Sequence, residues 1–257
     1  MQAIVHQCRL FFIALQFFTR VPVPAWVGFE PGWLQHASRY FPLVGLLVGA
    51  AGALVYALAH WLWPAPVAAL LSTAATVYLT GAFHEDGFAD MCDGFGGGLT
   101  RERVLEIMKD SRIGSYGAVA LVLLLMLKCA MLVLMAPGAA MAALLLAHPL
   151  SRLGAAGLIR WLQYARENGK AKPMAQAMSR MEFAIAFFCT AVPALLIGAG
   201  GWLPWPSIAA SFAACAAVAC WLGAKCVRRI GGYTGDCLGA VQQVAEVAIY
   251  LCLLARI

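Results

Sequence analysis

Polar and apolar residues are sorted along this chain into long blocks. Residues 40–84, 113–127, 129–151, 183–224 and 247–255 contain no Asp, Glu, Lys or Arg. A helix crossing a bilayer needs about 20 apolar residues, and these windows are long enough to supply several. The pattern predicts spans near 40–62, 66–84, 114–135, 139–161, 183–201, 206–224 and 238–255. A shorter apolar run within residues 3–20 predicts an N-terminal helix lying at, or dipping into, the interface. That run lacks a small-residue cleavage pattern and is followed by Arg20-Val21-Pro22-Val23-Pro24, which does not suit a cleaved signal. The expected fold is all-α: a polytopic integral membrane bundle of about seven transmembrane helices plus the N-terminal interfacial helix, forming one domain over residues 1–257.

The connections fall into two kinds. Trp61-Leu62-Trp63-Pro64-Ala65-Pro66, Met135-Ala136-Pro137-Gly138 and Trp202-Leu203-Pro204-Trp205-Pro206 are uncharged and rich in Trp or Pro. The segments Arg20 to Arg39, Glu85 to Arg112, Arg160 to Arg180 and Lys225 to Asp236 carry the charge. The two kinds alternate, as loops on opposite sides of a bilayer should. Lys and Arg accumulate on the cytoplasmic side and Trp at the interfaces. The charged loops are therefore expected in the cytoplasm and the C-terminus outside.

Composition agrees. The chain is 63% hydrophobic and 12% charged, about half the charge of an ordinary soluble domain, where about 25% is usual. Its net charge of +6 follows from the loop bias and requires no nucleic acid; the basic loops suit anionic membrane lipid or a phosphorylated substrate. The nine Cys contain no C-x-x-C pair, which disfavours a metal cluster or a disulfide framework. Small buried thiols are the plainer expectation. No internal repeat is evident, and the sequence does not decide whether the chain forms a homo-oligomer.

The acids break the pattern. Of 12 in the chain, seven (Glu85, Asp86, Asp90, Asp93, Glu102, Glu106 and Asp110) fall within 26 residues, directly after an uncharged window. On a helix continuing from the 66–84 span, Asp86, Asp90 and Asp93 would occupy an arc of about 60°. Carboxylates so placed repel one another unless a cation lies among them, and oxygen-only ligands favour Mg2+, Mn2+ or Ca2+ over zinc. Gly94 and Gly96-Gly97-Gly98 permit close backbone approach. Thr100 reads as the N-cap of a helix bearing Arg101, Arg103 and Lys109, and that helix is expected to end in Lys109-Asp110-Ser111-Arg112-Ile113-Gly114, where two cations can clamp phosphates. The alternative is a solvated cytoplasmic turn whose acids only keep it wet.

Other polar groups are less specific. Gly231-Gly232-Tyr233-Thr234-Gly235-Asp236 follows Arg228-Arg229; it reads either as a capped turn or as a loop offering Asp236 to a metal and Arg228 and Arg229 to phosphate. His148 and Arg152 share a helix face in an apolar span, where Arg either points into a polar interior or snorkels to the interface. Topology alone explains the charges of Arg160, Arg166, Lys170 and Lys172. His6, His36 and His60 are isolated.

An ordered set of motifs resembles the cobalamin synthase family, whose members are adenosylcobinamide-GDP ribazoletransferases. His84-Glu85-Asp86-Gly87-Phe88-Ala89-Asp90-Met91-Cys92-Asp93-Gly94 and Ile107-Met108-Lys109-Asp110-Ser111-Arg112-Ile113-Gly114 match the main signature. Phe18-Thr19-Arg20-Val21-Pro22-Val23-Pro24, Phe41-Pro42-Leu43-Val44-Gly45, Tyr164-Ala165-Arg166 and Thr234-Gly235-Asp236-Cys237-Leu238-Gly239-Ala240 match in order. Glu85 stands where many members have Leu.

The resemblance implies displacement at the cobinamide-side phosphorus of adenosylcobinamide-GDP by a ribose hydroxyl of α-ribazole or its 5′-phosphate, expelling GMP, with Mg2+ as cofactor. It assigns metal ligation to Asp86, Asp90, Asp93, Glu85 and Asp236, and the proton-accepting role to Asp93 or Asp90. Substrate contacts fall to His84, Lys109, Asp110, Ser111, Arg112, Arg166 and Gly235. The implied setting is the bacterial inner membrane with the reacting groups on the cytoplasmic side. Two rivals are a cation-dependent transporter and a lipid-making CDP-alcohol phosphotransferase. A transporter site would lie near mid-membrane. The phosphotransferase pattern needs Asp-Gly-x-x-Ala-Arg, whereas this chain has Asp86-Gly87-Phe88-Ala89-Asp90.

Overall fold

A computed structural model describes residues 2–165 and 177–255, and the described residues are helical apart from turns and one isolated bridge. In chain order the helices are α1 (Gln2–Phe18), α2 (Pro31–Ala37), α3 (Phe41–Leu62), α4 (Ala65–Thr80), α5 (Phe83–Gly97), α6 (Arg101–Ile107), α7 (Ser115–Leu134), α8 (Pro137–Trp161), α9 (Arg180–Ala199), α10 (Trp205–Ile230) and α11 (Gly235–Leu254). Six of the described segments are long and apolar enough to cross a membrane, and α4 with α5 forms a bent seventh candidate. The protein is an integral membrane protein with an all-α bundle.

Sequence chemistry sets many of the boundaries. Pro lies in the first turn of α2, α3, α4, α8 and α10, where its missing N–H costs no helical bond. Ser179 and Glu182 close a capping box at the start of α9. Glu182 also meets His36 Nδ1 at 2.7 Å and Arg39 at 2.5 Å, tying α2 and the turn after it to α9. This gives His36 a structural partner that its isolation in the sequence did not suggest.

The bundle is built around α8, which is buried along almost its whole length. Close approach of α3 to α8 depends on Gly45: a Cβ there would lie 2.5 Å from the His148 carbonyl oxygen. Small residues let backbones meet this way where lipid supplies no hydrophobic drive between helices. On its other flank α8 packs against α11. The short helix α1 buries Leu10, Ile13, Ala14 and Phe18 against the bundle and leaves Ile4 exposed.

One expectation fails. The second apolar segment does not run straight into the acidic stretch: α4 stops at Thr80 and α5 leaves at 88°. Gly81 and Ala82 both take left-handed backbone angles (φ 65° and 58°), and for Ala that costs about 1 kcal/mol or more. Arg20 stands across the bend, with its guanidinium 5.1 Å from the Tyr78 ring and its backbone N–H donating to the Leu79 carbonyl at 2.9 Å. At 16 residues, α4 rises about 24 Å, short of the roughly 30 Å hydrocarbon core.

Candidate functional site

The acidic run lies on α5, a helix with its own start. Asp86 N–H donates to the Ala82 carbonyl at 2.9 Å, and Glu85 and Asp86 occupy the first turn, where negative charge complements the helix dipole. Asp86 is exposed, Asp90 half-buried and Asp93 buried. Asp86 and Asp90, four residues apart, are neighbours along one stripe of the helix.

Asp93 has a distinct environment. Its two carboxylate oxygens accept the backbone N–H groups of Gly114 (2.7 Å) and Gly117 (2.8 Å), so it caps the N-terminus of α7. Glycine is required at that contact, since a Cβ at Gly114 would sit 2.5 Å from Asp93 Oδ1. The glycines of the stretch serve packing more than a loop: Gly94, Gly96 and Gly97 are helical, with Met108 against Gly94 and the Tyr116 ring against Gly96.

Glu85 points the other way. It is 6% exposed, and its Oε1 accepts from Gln243 Nε2 of α11 at 2.7 Å. Asp236, in the first turn of α11, reaches the same region from across the helix crossing. A Cβ at Gly87 would stand 3.0 Å from the Asp236 Cα, and one at Gly239 3.0 Å from the His84 carbonyl oxygen. Gly87 and Gly239 thus make the α5–α11 contact possible and bring the backbone of Asp236 beside the acidic helix. Asp236 Oδ2 accepts from the Thr234 hydroxyl at 3.2 Å, and Thr234 caps α11.

Thr100 caps α6 by accepting from the Arg103 N–H at 3.3 Å, as its sequence context predicts. The helix does not carry Lys109 as expected: it stops at Ile107, and the turn that follows is open, with Lys109, Ser111 and Arg112 exposed and Asp110 half-buried. Arg112 Nη2 donates to Asp110 Oδ2 at 2.7 Å, and side-chain and backbone hydrogen bonds from Arg112 hold the Asp110 carboxyl down at about 2. Asp93, Arg103, Asp110, Arg112 and Ser115 line one cleft of about 520 Å3. Arg103 is paired with Glu106 at 2.8 Å.

The end of α10 braces this region. Arg229 donates to the Gly98 carbonyl at 2.5 Å and lies 5.4 Å from the Phe95 ring, while Arg101 donates to the Ile230 carbonyl at 2.9 Å. The loop before α11 pairs with residues 163–165: Tyr233 N–H donates to the Gln163 carbonyl and Ala165 N–H to that of Tyr233. Burial pushes the Tyr233 hydroxyl above the ordinary tyrosine range. Arg166, Lys170 and Lys172 lie outside the described residues.

His84 is buried and stacked on Phe18, with ring centroids 5.4 Å apart. It lines a hollow of about 20 Å3, room for one water, with Phe41, Phe83, Arg152, Gly235 and Gln242. Arg152 is 2% exposed: it points into the bundle instead of snorkelling. Lys128, Gln242, Gln243 and Glu246 join it there, and sequence reasoning assigned them nothing. Their signal was faint: Lys128 alone separates two uncharged windows, and Gln242-Gln243 with Glu246 interrupt the last span.

Among the described residues no three His, Cys, Asp or Glu side chains converge as a ready metal cage. Mg2+ commonly takes only one or two carboxylates and completes its shell with water and phosphate oxygens. The all-oxygen pair Asp86 and Asp90, on the less buried stripe of α5, fits that smaller demand.

A model of the cobalamin-5-phosphate synthase family matches residues 10–254. The chain is 51% identical to the adenosylcobinamide-GDP ribazoletransferase of Leptothrix cholodnii, with 100% of this chain and 99% of the relative covered. The proteins of that name from Ralstonia nicotianae (50% identical, 99% and 98% covered) and Vibrio cholerae (45% identical, 97% and 95% covered) are similar over the same extent. No solved structure matches the chain. Matched over residues 10–254 by the family model and over nearly its whole length by these relatives, the chain belongs to the cobalamin-5-phosphate synthase family.

Proposed function

We propose that this protein joins the two halves of a cobamide at the cytoplasmic face of the bacterial inner membrane, transferring the cobinamide-phosphate moiety of adenosylcobinamide-GDP to a ribose hydroxyl of α-ribazole or its 5′-phosphate. The observation that carries this reading is full-length similarity to proteins named for that transfer. It favours the transferase over the transporter and the lipid synthase.

The arrangement on α5 suits the chemistry. In the step, the hydroxyl oxygen forms a bond to the cobinamide-side phosphorus. The bond from that phosphorus to the bridging oxygen breaks, and its electron pair departs on GMP. The hydroxyl proton passes to a carboxylate. Asp90 is assigned that proton because it lies half-buried on the stripe shared with exposed Asp86, whereas Asp93 is buried and caps α7. Mg2+ held by Asp86 and Asp90, with Asp236 beside them, would neutralise charge on the pyrophosphate. Lys109, Ser111 and Arg112 on their open turn hold phosphate, with Asp110 fixing the Arg112 guanidinium. Arg166 is a further substrate contact that the family resemblance implies. His84 and Gly235 border the same helix crossing from the apolar side.

Purified protein is expected to release GMP from adenosylcobinamide-GDP only with α-ribazole or its 5′-phosphate present. Chelation should abolish release, and Mg2+ should restore it. Equal GMP release without the second substrate would mark a hydrolase and contradict the proposal.

A further inference from the structure

Behind the acidic helix lies a charged chain that the transfer reaction leaves unexplained. Glu85, Lys128, Arg152 and Glu246 are each no more than 6% exposed. Gln243 Nε2 donates to Glu85 Oε1 at 2.7 Å, and Gln243 Oε1 accepts from Lys128 Nζ at 3.1 Å. Lys128 Nζ also donates to Glu246 Oε2 at 2.9 Å, and the other Glu246 oxygen lies 2.8 Å from His148 Nδ1. Gln242 adds a bond to Glu246 Oε2 at 3.0 Å. Two carboxylates, Glu85 and Glu246, are buried together with two cations, Lys128 and Arg152. The chain links α5, α7, α8 and α11.

Such groups are expensive inside a membrane bundle, and apolar residues of similar volume would often pack the same helices at no loss of stability. Their value lies in directionality. Glu85 is where the chain meets α5, and it precedes Asp86 by one residue, about 100° around the helix axis. Rotating α5 far enough to turn Asp86 and Asp90 away from substrate would pull Glu85 off Gln243. Asp93 ties the far part of α5 to α7, but near Asp86 the Gly87–Gly239 crossing has no side chain on either glycine to resist that rotation.

We propose that Glu85, Gln243 and Lys128 form a positioning strut that fixes the rotation of α5 and so presents Asp86 and Asp90 to the substrate phosphates. The proposal rests on the reading of α5 as the reacting helix.

A swap of the two strut residues tests it. Gln243→Glu sets a second carboxylate against Glu85. Glu85→Gln leaves the buried cations in excess. In the double variant the amide at position 85 donates to the carboxylate at 243, which still accepts from Lys128, and the charge count is restored. In the monodisperse fraction of each purified variant, Gln243→Glu should lower kcat by about 30-fold or more, because misplacing reacting groups by about 1 Å can cost about 100-fold, with KM for both substrates within about threefold. The double variant should exceed both single variants, a coupling that independent sites do not show. A Gln243→Glu protein of full kcat, or a double variant no better than Gln243→Glu, would overturn the strut. Asp90→Asn measured alongside separates the two claims. If it stays active, the reading of α5 falls; if it is inactive while Gln243→Glu is active, only the strut falls.

Discussion

Asp86, Asp90 and Asp93 share residue type and helix face, yet their surroundings divide them. Asp93 spends both oxygens on amides at the start of α7, a stabilising arrangement because those N–H groups have no helical partner. Asp93→Ala should therefore destabilise the folded protein by about 2 kcal/mol, read as a lower thermal unfolding midpoint in detergent. Asp93→Asn, which keeps one acceptor oxygen, should cost less. An Asp93→Asn protein with an unchanged midpoint and no activity would instead assign Asp93 to the chemistry. Spacing placed the three acids on one stripe, but it could not reveal Gly114 and Gly117, more than 20 residues away. Glu85 illustrates the same limit: it sits within the acidic run, while its partner is 158 residues distant.

At the scale of elements, the site depends on a bend and a crossing. The bend at Gly81 and Ala82 turns the acidic helix through 88° from α4, and the crossing lets α11 bring Asp236 against Gly87. Gly87→Ala should lower kcat by about threefold or more, since its Cβ would meet the Asp236 backbone at 3.0 Å and the helices would have to part by a few tenths of an ångström, where about 1 Å can cost about 100-fold. Wild-type kcat in that variant would show that the crossing has slack. The apolar windows foretold where most helices run, and Thr100 foretold a cap. The bend escaped because hydropathy reads composition, and residues 81–84 remain free of Asp, Glu, Lys and Arg through the turn. Backbone angles at Gly81 and Ala82 leave no trace in an apolar average.

For the whole molecule, alternation of Trp-rich and charged connections implies one charged side. Trp61, Trp63, Trp202 and Trp205 are all exposed, as an interfacial belt requires. Reporter fusions should show residue 111 on the cytoplasmic side and residue 201 outside; the same side for both would break the assigned topology. The buried charges form an ionic framework within the apolar bundle that carries the acidic helix, with Asp86 and Asp90 on its less buried stripe. This face of α5 is proposed to perform the transfer. The most direct measurement is GMP release from adenosylcobinamide-GDP, with α-ribazole and Mg2+ present, by a folded Asp90→Asn protein. A loss of at least about 100-fold is expected, the scale of a lost general base. Release at the wild-type rate would contradict it.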